Sequence, residues 1–378
     1  MNYLKYIRKD NKDLQPAMKI ALLALRLIFG GVFIFSGFVK AVDPIGTAYK
    51  IQEYLGLFGG FFEFLSPLAL LGAIGLCVVE IVIGINIIFN IHFRLSALGG
   101  LLIMLIMTPL TLYIALTNPM EGCGCFGEAV AISNTQTFIK NLILLPIIAT
   151  LFIFSKRIRP VFAPLTEWIA SAVFVLIFTI FSIYNLRNLP VIDFLPFKIG
   201  VNIYESMQTP HPEFEFFLIY EKDGVEQTFT LDDFPGGDSG WTFVDQKIVR
   251  ISPEYQPEIQ PFMIFNEKLD DITEEVLKYP GQVYLIIIYD VNTTNRRAVH
   301  NIQKLYERSI RQDIQHFYIV TASSLADIEA FRERTGVTFP FATSNRATLR
   351  DMVRANPGVI LLNNGVIENK WHWRNFDW

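Results

Sequence analysis

Charge is scarce in this 378-residue chain, where 18% of residues are Asp, Glu, Lys or Arg, against about 25% in an ordinary soluble domain. The formal net charge of −4 gives neither the basic footprint of a nucleic-acid binder nor an acidic tail. Cysteine is scarcer still, at three residues, too few for the framework of a disulfide-stapled secreted scaffold. Apolar residues take the place of both, 52% of the chain being hydrophobic and 14% aromatic, which excludes a disordered chain. They are unevenly spread. The first half is nearly uncharged for long stretches and the second reads as a soluble domain, so the composition implies an integral membrane protein with a soluble attachment.

Five apolar runs carry that reading: Ile20–Val39, Pro67–Phe89, Leu95–Leu116, Phe138–Phe154 and Trp168–Tyr184. A bilayer core takes about 20 apolar residues as a helix, with roughly 17 as the lower limit, and continuous runs of this kind are helical because lipid offers no partner to free backbone groups. No small-residue cleavage site follows the first run, where Lys40-Ala41-Val42-Asp43-Pro44 comes next, so it is expected to stay attached. Lys5, Arg8, Lys9, Lys12 and Lys19 precede it, and Arg94, Lys156, Arg157 and Arg159 sit in alternate loops. The positive-inside rule then predicts a cytoplasmic N-terminus, with residues 117–137 and everything after residue 185 facing the opposite compartment. Gly56–Phe64 is too short to span and is expected at the interface. Pro109 and Pro146 are expected to kink their helices.

Ionisable groups at membrane depth are costly, and mark function or pairing. Glu80 in the second run and Arg26 in the first lie at comparable depths, roughly 13 and 10 Å from the same surface at about 1.5 Å per residue, so they are expected to pair across antiparallel helices. That pair reads either as a structural clamp or as part of proton or quinone handling. Cys77, three residues before Glu80, reads as a small apolar filler.

The remaining two cysteines, Cys123 and Cys125, stand in Gly122-Cys123-Gly124-Cys125-Phe126-Gly127 between the third and fourth runs. The glycines allow the turns that a small-ring disulfide needs. An exposed, strained disulfide exchanges readily, so the pair is a candidate redox centre; a static loop staple and half of a metal site are the alternatives. No histidine lies in the loop, and two ligands fall short of the four of a structural zinc site.

With Arg26 to Phe33, Ser36 to Lys40, Asp43-Pro44, Val79 to Gly84, Gly122 to Gly127 and Lys140 to Leu145 on the page, residues 20–154 resemble the MauE family of bacterial membrane proteins, within the wider DoxX-like group. The resemblance implies a four-helix membrane module distantly similar to thiol oxidoreductases such as DsbB. It also implies a link to methylamine utilisation, where the family looks like a helper in maturing a disulfide-rich periplasmic dehydrogenase. Glu80, Arg26, Cys123 and Cys125 are the residues carried over.

In the second half, Phe214–Tyr220 and Glu226–Leu231 flank a hairpin signal, and Trp241–Val244 with Lys247–Ile251 reads as another hairpin about Asp245-Gln246. From about residue 258, strand, helix, strand and helix precede a hairpin at Asn364-Gly365. That order resembles the thioredoxin fold in its TlpA-like branch, with Pro357 at the position of its cis-proline. Asp290 to Asn295 stands where that fold carries Cys-x-x-Cys, and the domain has no cysteine, so it is expected to bind rather than to exchange disulfides. The tail at Trp371-His372-Trp373 is expected to cover the sheet face left by the lack of a closing helix. His211, His300, His316 and His372 show no metal spacing.

The expected organisation is therefore a leader at 1–19, a four-helix membrane domain at 20–155, a fifth span with flanks at 156–189, a small β-rich segment at 190–257 and a degenerate thioredoxin-like α/β domain at 258–378. Two functions fit. In one, Cys123 and Cys125 pass electrons between a periplasmic protein and a membrane carrier such as quinone. In the other, the chain is a non-catalytic membrane scaffold whose soluble domain binds a partner. Lipid is the expected surroundings, and nucleic acid is not a partner.

Overall fold

A computed structural model describes residues 15–57, 59–120, 122, 124–130, 132–158, 160–208, 214–222, 225–230, 241–250, 259–311 and 316–377. Its first part is helical. Helices α1 (Pro16–Val42), α2 (Pro44–Leu57), α3 (Ala69–Phe89), α4 (Phe93–Thr117), α5 (Asn134–Phe154) and α6 (Pro164–Arg187) follow in order. All but α2 are long and apolar enough to cross a membrane, α3 being extended by a short turn from Ser66 and α5 by one to Arg157. Each span is a little longer than its apolar run, because capping groups and charged ends lengthen a helix beyond its apolar stretch. Ser133, for instance, starts α5 with a reciprocal capping box to Gln136.

Helices α1 and α3 make the closest approach. A Cβ on Gly30 would come within 2.8 Å of the Gly84 carbonyl oxygen, one on Gly37 within 2.7 Å of that of Cys77, and one on Gly84 within 2.7 Å of that of Gly30. Small residues at such a crossing let two backbones touch where lipid supplies no hydrophobic drive. Phe29, Phe33, Ile87, Met104, Leu144 and Ile148 fill the bundle around this seam. Helix α6 lies outside it, contributing Phe174, Phe178 and Phe181 to a second cluster with Cys77 and Ile81. Outward faces carry exposed Leu27, Leu102, Ile106, Leu142 and Leu176, as a lipid-facing surface requires.

Helix α2 falls between the first two spans, where the sequence reading had only a loop and an interfacial segment. Asp43 starts it, its carboxylate accepting from Gly46 N at 2.8 Å, and Pro44 occupies the first helical position, the placement its missing N–H favours.

The second part holds two sheets. Strands β1 (Phe214–Lys222), β2 (Val225–Thr230) and β3 (Thr242–Arg250) form an antiparallel sheet of order β2-β1-β3. The hairpin expected at Asp245-Gln246 is corrected here: residues 242–250 are one strand, paired along β1 with a bulge at Ile219/Tyr220. A two-residue hairpin wants positive φ at its centre and Asn-Gly or Asp-Gly chemistry, which Asp-Gln lacks.

The larger sheet has order β6-β5-β4-β7-β8, built from β4 (Gln282–Ile288), α7 (Arg296–Arg311), β5 (Phe317–Thr321), α8 (Leu325–Thr335), β6 (Ala342–Thr343), α9 (Arg346–Met352), β7 (Gly358–Asn363) and β8 (Val366–His372). Strands β4 and β5 are parallel, and β7 and β8 run antiparallel to their neighbours. Val283, Leu285 and Ile287 enter one core and Ile286 and Ile288 the other, which explains an unbroken apolar strand: its side chains alternate between two covered faces. Asn364 and Gly365 turn the last hairpin with φ of 51° and 76°. Trp371 and Phe376 pack on the second face, their rings 5.3 Å apart, as expected of the tail. Phe197, Ile203 and Met207 join the first core, so this stretch of the segment expected at 190–257 packs with the larger sheet. The second half is thus a sheet-containing region joined to the bundle.

Candidate functional site

Ser36 and Lys40 near the end of α1, and Asp43 just beyond it, organise the site. Ser36 and Lys40 are four apart and share a face. Lys40 Nζ lies 2.6 Å from Ser36 Oγ, 2.7 Å from Glu80 Oε2 and 2.9 Å from the carbonyl oxygen of Cys125. An ammonium has three donors, and each finds an acceptor. Ser36 Oγ stands 2.9 Å from Glu80 Oε2 and 2.8 Å from the Cys125 carbonyl, either of which its single proton can serve. The Lys40 and Glu80 side chains are 6% and 10% exposed. An ion pair this deep holds because all its donors are used; breaking one side of such a pair costs roughly 3–5 kcal/mol.

The expected Arg26–Glu80 pair is not formed. Arg26 Nε and Nη2 donate to the carbonyl oxygens of Ile87 and Ile88 at 2.8 and 2.6 Å. These carbonyls belong to the last turn of α3, where intrahelical donors run out and the dipole favours a cation. Depth along a helix does not fix direction around it, and Glu80 faces Lys40. Lys40 and Ser36 are the site residues that sequence reasoning missed. The signal was a lysine closing an apolar run four residues after a serine. Cys77 is buried, with Sγ 3.1 Å from the Ile74 carbonyl oxygen and 3.5 Å from Ser182 Oγ, a filler as expected.

Cys123 lies outside the described residues. Around it, Gly122, Gly124 and Gly127 have φ of 64°, 67° and 52°, the left-handed region that a Cβ resists. Cys125 borders two spaces. One is an open cleft of about 1350 Å³ between the bundle and the sheet region, edged by Tyr49, Lys50, Glu128, Arg350 and Asp351. The other is a cavity of about 80 Å³ inside the bundle, edged by Phe33, Tyr54, Glu80, Met104 and Lys140. A water needs only about 10–15 Å³ by this measure, whereas ligand pockets run to about 300 Å³ or more. The cavity therefore suits a few waters against Glu80, and does not hold a quinone ring. No cluster of metal-ligating side chains occurs among the described residues.

The cleft's far wall is fixed to α1 and α2. Arg354, with 4% side-chain exposure, bridges Asp43 and Asp351 at 2.9 Å each. Burial opposes its charge, but the two carboxylates outweigh burial and hold its pKa above the ordinary range. Arg350 lies 4.0 Å above the Tyr49 ring, and the Tyr49 hydroxyl is 3.3 Å from that of Tyr289, whose pKa burial drives up. The carboxyl of Glu128, ringed by protein in the cleft though its residue is exposed overall, is raised by burial and then by Asp351.

Beyond Tyr289 the turn at the end of β4 has a polar lining. Asn356 Nδ2 donates to the Asp290 carbonyl at 2.7 Å and lies 3.0 Å from Thr293 Oγ1, and the Asn356–Pro357 peptide is cis.

Comparison with known proteins gives two matches. Residues 18–155 match the family described as methylamine utilisation protein MauE, and residues 214–252 match a domain of unknown function, DUF8463, which coincides with the three-stranded sheet. No curated protein and no solved structure matches the chain. Five apolar helices and the family match together make this a multi-pass membrane protein with a MauE-type region at residues 18–155.

Proposed function

We propose that the chain is a thiol–disulfide exchange protein of the bacterial inner membrane, working through Cys123 and Cys125 on an exported protein. The observation that carries this reading is the seat of Cys125, gripped by its carbonyl from Lys40 and Ser36 at 2.9 and 2.8 Å and open to the cleft beneath the sheet region. A loop held by its backbone leaves its side chains available for chemistry. In the exchange, two client thiols become a disulfide while the Cys123–Cys125 disulfide becomes two thiols, so two electrons and two protons pass to the loop. The inner cavity beside Cys125, at about 80 Å³, is too small for the ring of the quinone expected as their carrier, and the reading stops at the exchange itself.

In this reading the N-terminus is cytoplasmic, and the cysteine loop and sheet region share the periplasmic side, in keeping with the single cleft that both line. The sheet region is read as thioredoxin-like without its cysteines, supported by its parallel β4–β5 pair, its final hairpin and the cis peptide beside the β4 turn. Its role is to seat the client over the loop.

Trapping the thiol state of the loop in cells tests the proposal. Cys123 and Cys125 are expected to shift between oxidised and reduced forms with client load, and Cys125→Ser to abolish client oxidation while moving the melting point by only a degree or two. A loop that stays in one state, with a Cys125→Ser chain that still works, leaves the scaffold reading: the Arg354–Asp43 clasp would then serve to hold a binding module at the membrane.

A further inference from the structure

The bundle end opposite the cysteine loop holds a second group of buried polar side chains. It lies between the turn joining α3 to α4 and the start of α6. His92 Nδ1 is 3.2 Å from Glu167 Oε2, and His92 N donates to the same oxygen at 3.3 Å. All of these contacts use one carboxylate oxygen. Among the described residues, Glu167 Oε1, His92 Nε2 and Ser155 Oγ have no hydrogen-bond partner, although Glu167 and Ser155 are 7% and 6% exposed. All three residues line a space of about 530 Å³ with Arg94 at its edge and Phe93, Leu98 and Ile158 in its walls.

Unpartnered buried polar atoms cost about 1–3 kcal/mol each, so three at one space call for a ligand that supplies donors. An imidazole that carries its one ring hydrogen on Nδ1 offers Nε2 as an acceptor. The group then offers a carboxylate oxygen, an imidazole nitrogen and a hydroxyl. The other end of the bundle shows what such a set holds: Lys40 Nζ is met by a carboxylate oxygen, a hydroxyl and one further acceptor.

We infer that this space binds the headgroup of a phospholipid bearing a primary ammonium. The ammonium donates to Glu167 Oε1, His92 Nε2 and Ser155 Oγ, the guanidinium of Arg94 meets the phosphodiester, and the apolar walls take the glycerol end. The location suits a lipid. It lies at helix ends, with Trp168 tilted 4.4 Å from the His92 ring and 61% exposed, and Val161, Phe162 and Leu165 exposed nearby. Aromatic and apolar residues at that level mark the headgroup boundary.

The test uses the full-length protein in nanodiscs, reading retained lipid by native mass spectrometry across phosphatidylethanolamine and its mono-, di- and trimethylated forms. These lipids share the phosphodiester and differ only in the number of N–H donors. Retention is expected to fall at each methylation, by about fivefold overall, as donors leave buried acceptors unserved. Glu167→Gln is expected to flatten that series, and Arg94→Gln to weaken all members alike. Equal retention of the unmethylated and trimethylated lipids overturns the inference, as does equal retention of phosphatidylglycerol. Displacement of the lipid by free ethanolamine at matched concentration overturns the lipid as ligand and leaves an amine site. If Glu167→Gln does not fold, the methylation series on the wild-type protein decides the matter alone.

Discussion

The bundle and the sheet region use ion pairs in opposite ways. In the core of the bundle, Lys40 and Glu80 are sunk and held by several partners with almost no water. On the sheet region, pairs such as Arg311–Glu307 are exposed, with side-chain exposures of 76% and 50%, and neighbours on one helix face suffice to make them. The same contact differs in weight because screening and desolvation differ. Number of pairs says little about what holds either half; surroundings decide it. Arg354 lies at the border and behaves like a bundle residue on a sheet scaffold.

The largest expected effect breaks the bundle's pair. Lys40→Met leaves Glu80 buried without its cation and is expected to cost roughly 3–5 kcal/mol, read as a lower melting temperature in detergent; adding Glu80→Leu should recover most of the loss. An unchanged melt for Lys40→Met would erase the contrast drawn above. Arg354→Ala comes next, at about 2–3 kcal/mol, less than a fully buried pair because the Asp43 side chain keeps 17% exposure. Limited proteolysis of residues 188–200 should quicken in that variant as the sheet region comes away from α1.

A pH effect sharpens the comparison from the sheet side. His372 is 6% exposed, its Nδ1 accepts from Arg374 N at 3.1 Å, and burial, then Arg374, lowers its pKa to about 4. A histidine lowered on folding binds its proton more readily unfolded, so its contribution is complete above about pH 6.5 and fades as pH falls toward 4. Stability is expected to drop by on the order of 1–2 kcal/mol across that window, and His372→Gln should flatten the slope in chemical denaturation. The smallest effect is Glu307→Ala, expected to cost no more than about 0.5 kcal/mol and to vanish in high salt.

How much of this was legible in the sequence follows from what each signal measures. The bilayer forces long apolar runs, so all five spans could be read, as could a strand in the unbroken apolar run Val283–Tyr289, which the structure places at Gln282–Ile288 with two covered faces and no polar alternation. Helix α2 was hidden because Pro44–Leu57 mixes polar and apolar residues and buries only Pro44 and Ala48. The Asp245-Gln246 hairpin came from reading two short runs where one strand with a bulged partner exists. At the site, Glu80 and the cysteine loop stand out through rarity, while Lys40 falls just past the end of the first apolar run. Its role depends on the direction it takes around α1 and on a loop some 85 residues away in the chain, neither of which periodicity encodes. Arg26 was assigned by depth, and its real partners are backbone carbonyls that no side-chain pattern reveals.

Lys40, in the last turn of α1, and Asp43, the residue just after that helix, stand three residues apart, one reaching inward to the cysteine loop and the other outward to Arg354. One short stretch of chain therefore ties both the cysteine loop and the sheet region to the same helix end.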